Sequence, residues 1–189
     1  MAFSVNTLIT TERNMKRLSD LFAAALLACL VTVLLYNPVS IAIFRLTEPY
    51  FEYPLKMDPD KGMVVRNDAG GDGEFAAKRL NGRSHTGIDI QAPLMTPVRA
   101  SKSGLAFCLN VPTGYGKYVL IRHPDGSQTL YSHLFEWNII SGNQVRRGDI
   151  IGFVGKSGNA NRKNIEPHLH FEIRKNNEPQ DPRKLMRSK

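Results

Sequence analysis

Pro167-His168-Leu169-His170-Phe171-Glu172-Ile173 alternates apolar and polar residues with a period of two, the pattern of a strand whose side chains point to opposite faces in turn. Leu169, Phe171 and Ile173 share one face, and His168, His170 and Glu172 share the other. Imidazoles about 6.5 to 7 Å apart on one face suit one as a metal ligand and its neighbour as a group facing whatever the metal holds. A half-buried strand whose polar face merely carries histidines has the same pattern, so the rest of the chain must decide.

Upstream of this strand, strand-like runs follow at short intervals: 87–90, 98–100, 105–109, 118–122, 128–134 and 150–154. Turn residues separate them, Pro124-Asp125-Gly126 forming a hairpin turn. No helical period of any length lies among them, so the expectation is an all-β domain of antiparallel sheets.

The N-terminal region is different. Leu21 to Phe44 is free of charge, roughly 36 Å long as a helix, and can cross a hydrocarbon core of about 30 Å even if Asn37-Pro38 ends the helix early. The rival reading is a cleaved signal peptide with Ser40-Ile41-Ala42 as the small-residue site. The apolar run exceeds a signal h-region and follows a long polar leader, which favours an uncleaved anchor. Arg13, Lys16 and Arg17 before the span orient the N-terminus to the cytoplasm and the rest outside, giving a single-pass protein of the cell inner (cytoplasmic) membrane. The division expected is a cytoplasmic leader 1–20, a transmembrane anchor 21–44, a connector 45–67 punctuated by Pro49, Pro54, Pro59 and Gly62, and a domain 68–189.

The net charge of +8 in 189 residues suits a polyanionic partner. The basic residues are dispersed, with no Lys/Arg block interleaved with aromatics, which argues against nucleic acid. Cys29 and Cys108 are too few for a disulfide framework.

Arg83-Ser84-His85-Thr86-Gly87-Ile88-Asp89 places a histidine and a carboxylate four residues apart where a strand begins. Extended, they stand about 13 Å apart, too far to share one ion, so the backbone must bend, and Gly87 permits it. With His170 this gives two imidazoles and one carboxylate, a donor set of the catalytic zinc type that leaves a fourth position for water. The chain has no HExxH helix. His133, in Tyr131-Ser132-His133-Leu134, is the remaining histidine of interest; His123 reads as a surface residue flanking the turn.

These three segments in this order resemble the M23 family of zinc endopeptidases, the lysostaphin and LytM type that cut peptidoglycan. The resemblance runs from about Phe51 to the end and includes Gly114-Tyr115-Gly116-Lys117-Tyr118-Val119, Val145-Arg146-Arg147-Gly148-Asp149-Ile150-Ile151-Gly152 and Asp181-Pro182 as framework. It implies a LytM-type sheet or sandwich domain, one Zn2+ held by His85, Asp89 and His170, and His133 with His168 as the catalytic pair. It also implies peptidoglycan cross-link peptides as substrate. The loop from Ser157 to Glu166 is longer than the family pattern, Ile165-Glu166-Pro167 stands where members often have Thr-Gly-Pro or Thr-Gly-Asn before the HxH, and Arg79-Leu80-Asn81 stands where some members have a tyrosine a few residues before the first ligand. Three other classes are weaker. A biotinyl or lipoyl carrier lacks its tip lysine, and a Ser/His/Asp hydrolase lacks the Gly-x-Ser-x-Gly elbow. A catalytically inert LytM-like module that activates other wall hydrolases belongs to a type that loses ligands, and this chain keeps all three.

Overall fold

The computed structural model describes residues 5–56, 60, 62–79 and 82–187, with side chains in the long N-terminal helix described from residue 13. Residues 57–59 and 61 of the turn-rich connector, and Leu80-Asn81, lie outside the described residues. The chain divides into a unit of Met1–Leu46 and a unit of Thr47–Lys189.

The first unit is the helix α1, Val5–Thr47, which continues through Pro38. Asn37-Pro38 therefore does not end it. Pro38 removes one backbone donor from the ladder, and Ser40 Oγ donates to the Asn37 carbonyl at 3.0 Å beside it. Over Arg13–Thr47 the helix is long and apolar enough to cross a membrane, a property that a signal sequence shares.

The second unit is built of strands β1 (Phe51–Glu52), β2 (Asn67–Asp68), β3 (Gly71–Asp72), β4 (Ile88–Gln91), β5 (Pro97–Arg99), β6 (Gly104–Asn110), β7 (Lys117–Arg122), β8 (Gln128–Ser132), β9 (Leu134–Trp137), β10 (Gln144–Val145), β11 (Ile150–Val154), β12 (His168–Lys175), β13 (Glu178–Gln180) and β14 (Met186–Arg187), with a short helix α2 (Pro182–Leu185) capped by Asp181. The main sheet runs β10-β6-β7-β8-β12-β13, with β4 beside the first half of β12. A smaller sheet runs β5-β11-β9. Pairing is antiparallel in both, no sheet closes into a barrel, and β1 with β14 is a parallel pair. The all-β expectation holds.

The apolar face of β12 explains the architecture. Leu169, Phe171 and Ile173 are each fully buried and join Ile88, Val119, Ile121 and Tyr131 of the main sheet with Val98, Leu134, Ile151 and Val154 of the smaller one in a single core. The opposite face is buried too: His168, His170 and Glu172 are 2%, 5% and 0% exposed. A strand enclosed on both faces needs partners for its polar side chains, and those partners make the site.

The expected strand 128–134 is broken. β8 stays in the main sheet, His133 adopts φ +61°, and β9 crosses to the smaller sheet. A left-handed non-glycine residue costs about 1 to 2 kcal/mol. Two hydrogen bonds of 2.9 Å hold it there, His133 N–H to the Tyr115 carbonyl and Nδ1–H to the Ser157 carbonyl. The turn that changes sheets is thus the turn that presents His133.

His123 is not a surface residue. It is 5% exposed, with Nδ1–H donated to the Ser103 carbonyl at 2.9 Å and Nε2 accepting from Thr129 Oγ1 at 3.0 Å. His123 packs between Ser103, just before β6, and Thr129 of β8, so proximity to a turn did not mean exposure. Burial lowers its pKa, opposed only in part by the Ser103 carbonyl and Asp125. The folded state then binds fewer protons than the unfolded state below the ordinary histidine pKa of about 6.5. The stability is full above that pH and is lost as pH falls toward the depressed value. Denaturation should show His123→Gln less stable than wild type at neutral pH but with a flatter loss of stability as pH falls below about 6.5. An unchanged slope would show that His123 does not set it.

Candidate metal centre

β12 pairs with β4 in a register that sets His170 opposite Asp89. The loop before β4 brings His85 back beside them, braced by His85 N–H to the Ala77 carbonyl at 2.9 Å. Gly87 serves this bend through space rather than through a left-handed φ. A Cβ there would stand 2.3 Å from the Phe171 carbonyl and 2.8 Å from Glu172 Cγ. The loop can lie against β12 only because residue 87 has no side chain.

The three donors meet. His85 Nε2 is 2.9 Å from His170 Nδ1 and 3.1 Å from Asp89 Oδ1, and His170 Nδ1 is 2.8 Å from Asp89 Oδ1. Donors on one tetrahedral zinc at about 2.0 to 2.1 Å stand about 3.3 Å apart, so the triangle needs to open by only a few tenths of an ångström. The far side of each donor is also held. His85 Nδ1 meets the Glu74 carbonyl at 2.8 Å, and His170 Nε2 meets Glu172 Oε1 at 3.0 Å. Asp89 Oδ2 accepts from Arg66 at 2.7 Å and Arg79 at 3.1 Å. Metal-binding histidines and carboxylates are commonly oriented by such outer partners, and the residues fit a four-coordinate divalent ion.

Electrostatics point the same way. Burial opposes the charge of Asp89, but hydrogen bonds from His170 and His85 hold its carboxyl well below the usual carboxylate range. Burial likewise works against Glu172, yet His170, Thr86 and Tyr115 bring it to about 2. His170, between these two carboxylates, is raised to about 9 against the effect of burial. The pocket favours positive charge at its centre.

His133 and His168 face this triangle across a cavity of about 600 Å3, lined also by Tyr115, Arg162 and Ile165. Their ring centroids are 4.9 Å apart, and His133 lies 5.9 Å from His170. Burial lowers both pKa values, that of His133 to about 3 with help from His170 and His168. His168 Nδ1–H donates to the Glu166 carbonyl at 2.7 Å, as His133 Nδ1–H does to Ser157. Both neutral rings therefore keep Nε2 as the proton-accepting nitrogen. The loop 157–166 that departs from the family pattern forms one wall of the cavity.

All five residues singled out in the sequence come together here. Sequence reasoning missed four others: Arg66, Arg79, Glu172 as the partner of His170, and Tyr115, whose hydroxyl donates to Glu172 Oε1 at 2.7 Å. Only Glu172 had a legible signal, lying two residues past His170 on the same strand face.

A mostly antiparallel β domain with a His, Asp, His triangle that could hold a metal ion, and two further histidines across the cavity, sets the class of site. Residues 83–182 match the model of peptidase family M23, and the chain belongs to that family. Over 100 residues it is 48% identical to the DD-carboxypeptidase/endopeptidase Mpg of Neisseria meningitidis serogroup B, covering 53% of this chain and 22% of that protein. It is 34% identical over 101 residues to the peptidoglycan DD-endopeptidase ShyC of Vibrio cholerae, covering 53% and 22%. The crystal structure of a zinc containing peptidase from Vibrio cholerae superposes with a TM-score of 0.56 at 29% identity, over 70% of this chain and 39% of that one. The chain thus spans under a quarter of the length of these curated relatives.

Proposed function

We propose that the chain is a membrane-anchored zinc metalloendopeptidase that hydrolyses peptide cross-links of peptidoglycan. One Zn2+ is assigned to His85, Asp89 and His170, and proton transfer to His133 and His168. The observation that carries this is the complete donor triangle facing two neutral histidines in one cavity. The same completeness argues against an inert module, whose site has no need of every ligand and every outer partner. A zinc ion bound there supplies Lewis acidity at the scissile carbonyl and makes a water more acidic.

The chain's own residues do the rest. With Nδ1–H committed to a backbone carbonyl, each of His133 and His168 offers Nε2 to the cleft. One takes the proton of the attacking water. As an imidazolium it becomes a donor, able to stabilise the oxyanion or to protonate the leaving amine. Glu172 keeps the His170 ring in place, and Tyr115 and Arg174 keep Glu172 in place.

The apolar helix, the basic residues before it and the named activity of the relatives support a wall-side location, with the domain outside the inner membrane. A reporter fused after Lys189 should be active only outside the cytoplasm. The zinc-loaded protein should release fragments from purified sacculi and leave casein largely intact. A reporter active only inside, or casein cleaved while sacculi stay whole, would contradict the assignment.

A further inference from the structure

Arg66 and Asp68 precede the segment 83–182 that matches the family, in a stretch whose sequence reads as connector and turn. The structure puts them between the two halves of the site. Arg66 is 3% exposed. Its NH2 nitrogen donates to Asp89 Oδ2 at 2.7 Å while NH1 pairs with Asp68 Oδ1. Asp68 Oδ2 accepts the backbone N–H of Glu166 at 2.7 Å, and the Glu166 carbonyl accepts Nδ1–H of His168 at 2.7 Å. A continuous path of hydrogen bonds runs from Asp89 through Arg66, Asp68 and Glu166 to His168. Backbone bonds brace its start, Arg66 N–H to the Asp89 carbonyl at 2.9 Å and Gly73 N–H to the Arg66 carbonyl at 2.8 Å.

We propose that Arg66 and Asp68 are positioning residues that hold the metal ligand Asp89 and the histidine His168 in one fixed geometry. With Oδ2 committed to guanidinium groups, only Oδ1 of Asp89 faces His85 and His170, so the carboxylate binds through one oxygen and cannot swing. Asp68 carries the same constraint to the other wall by fixing Glu166, the carbonyl that sets the tautomer and tilt of His168. The bridge requires arginine. Two carboxylates on different elements are engaged by separate nitrogens of one planar fork, which a lysine ammonium cannot reproduce.

The inference rests on the zinc-centre reading above, and the experiment separates the two. In the full chain in detergent, zinc affinity is measured by chelator competition, and kcat and KM are measured on sacculus fragments at saturating zinc. Arg66→Lys should weaken zinc binding about 10- to 100-fold, the usual cost of losing an outer partner, and should lower kcat even when zinc is saturating. Asp68→Asn should disturb zinc less and act on kcat with KM little changed, because its effect passes to His168. A purely structural role would lower the melting temperature and leave the zinc affinity and kcat of the folded protein at wild-type values. Wild-type affinity and kcat in both variants would overturn the proposal, and if Arg66→Lys does not fold, Asp68→Asn decides alone by the same criterion. If the wild-type chain takes up no zinc, the zinc-centre reading falls and this inference falls with it. If wild type binds zinc and cleaves while the variants match it, only this inference falls.

Discussion

Alanine at both Asp89 and His170 should empty the proposed metal centre: metal analysis should give one zinc per wild-type chain and close to none in the double variant, with hydrolysis at background. The size of the effect follows from the donor count. His85 alone remains, and one imidazole does not retain zinc against water and buffer. The same change perturbs the fold. Arg66 loses one of its two carboxylates in a site where its side chain is 4% exposed but keeps Asp68, so the cost falls below the roughly 3 to 5 kcal/mol of a buried charge left without any partner. Glu172 loses His170 but keeps Thr86, Tyr115 and Arg174. Zinc should therefore be counted on protein shown to be folded. Stoichiometric zinc surviving in that protein would mean the ligands lie elsewhere.

Replacing either of the other two histidines should separate binding from chemistry. His133→Ala and His168→Ala are expected to keep zinc and to lose about 10²- to 10⁴-fold in kcat, the usual contribution of a positioned acid or base. Neither ring joins the donor triangle, and both are tied through Nδ1 to carbonyls outside it. His133 needs a second variant because its backbone is left-handed. Asparagine tolerates that conformation better than alanine, so His133→Asn isolates the loss of the imidazole from backbone strain. Loss of metal from a folded variant at either position would make that histidine a ligand and require the site to be redrawn.

Much of this was legible in the sequence because strand periodicity is a local property. The alternation from His168 to Ile173 announced both the core face and the histidine face, and the HxxxD segment announced a bend, although Gly87 serves it by close approach to β12. The parts that were not legible depend on distant neighbours. β1 and β14 have two residues each and form a parallel pair only because two segments far apart in sequence meet in the second unit. The break at His133 shows no glycine or proline, since the hydrogen bonds it donates to the Tyr115 and Ser157 carbonyls impose it. His123 looked exposed beside its turn, and its burial depends on Ser103 and Thr129. Arg66 and Asp68 carry no motif, and their place beside Asp89 and Glu166 exists only once β2 and β3 have folded against the cleft.

The most direct test of the central claim is mass analysis of purified sacculi digested by the zinc-loaded full chain in water enriched in heavy oxygen. Cross-linked muropeptide dimers should decline, with monomers appearing that carry one heavy oxygen atom in the new carboxyl group, and the Asp89→Ala, His170→Ala double variant should produce none. Dimers that persist unchanged with zinc bound, or fragments released by cleavage of the glycan with the peptide cross-links intact, would contradict the account.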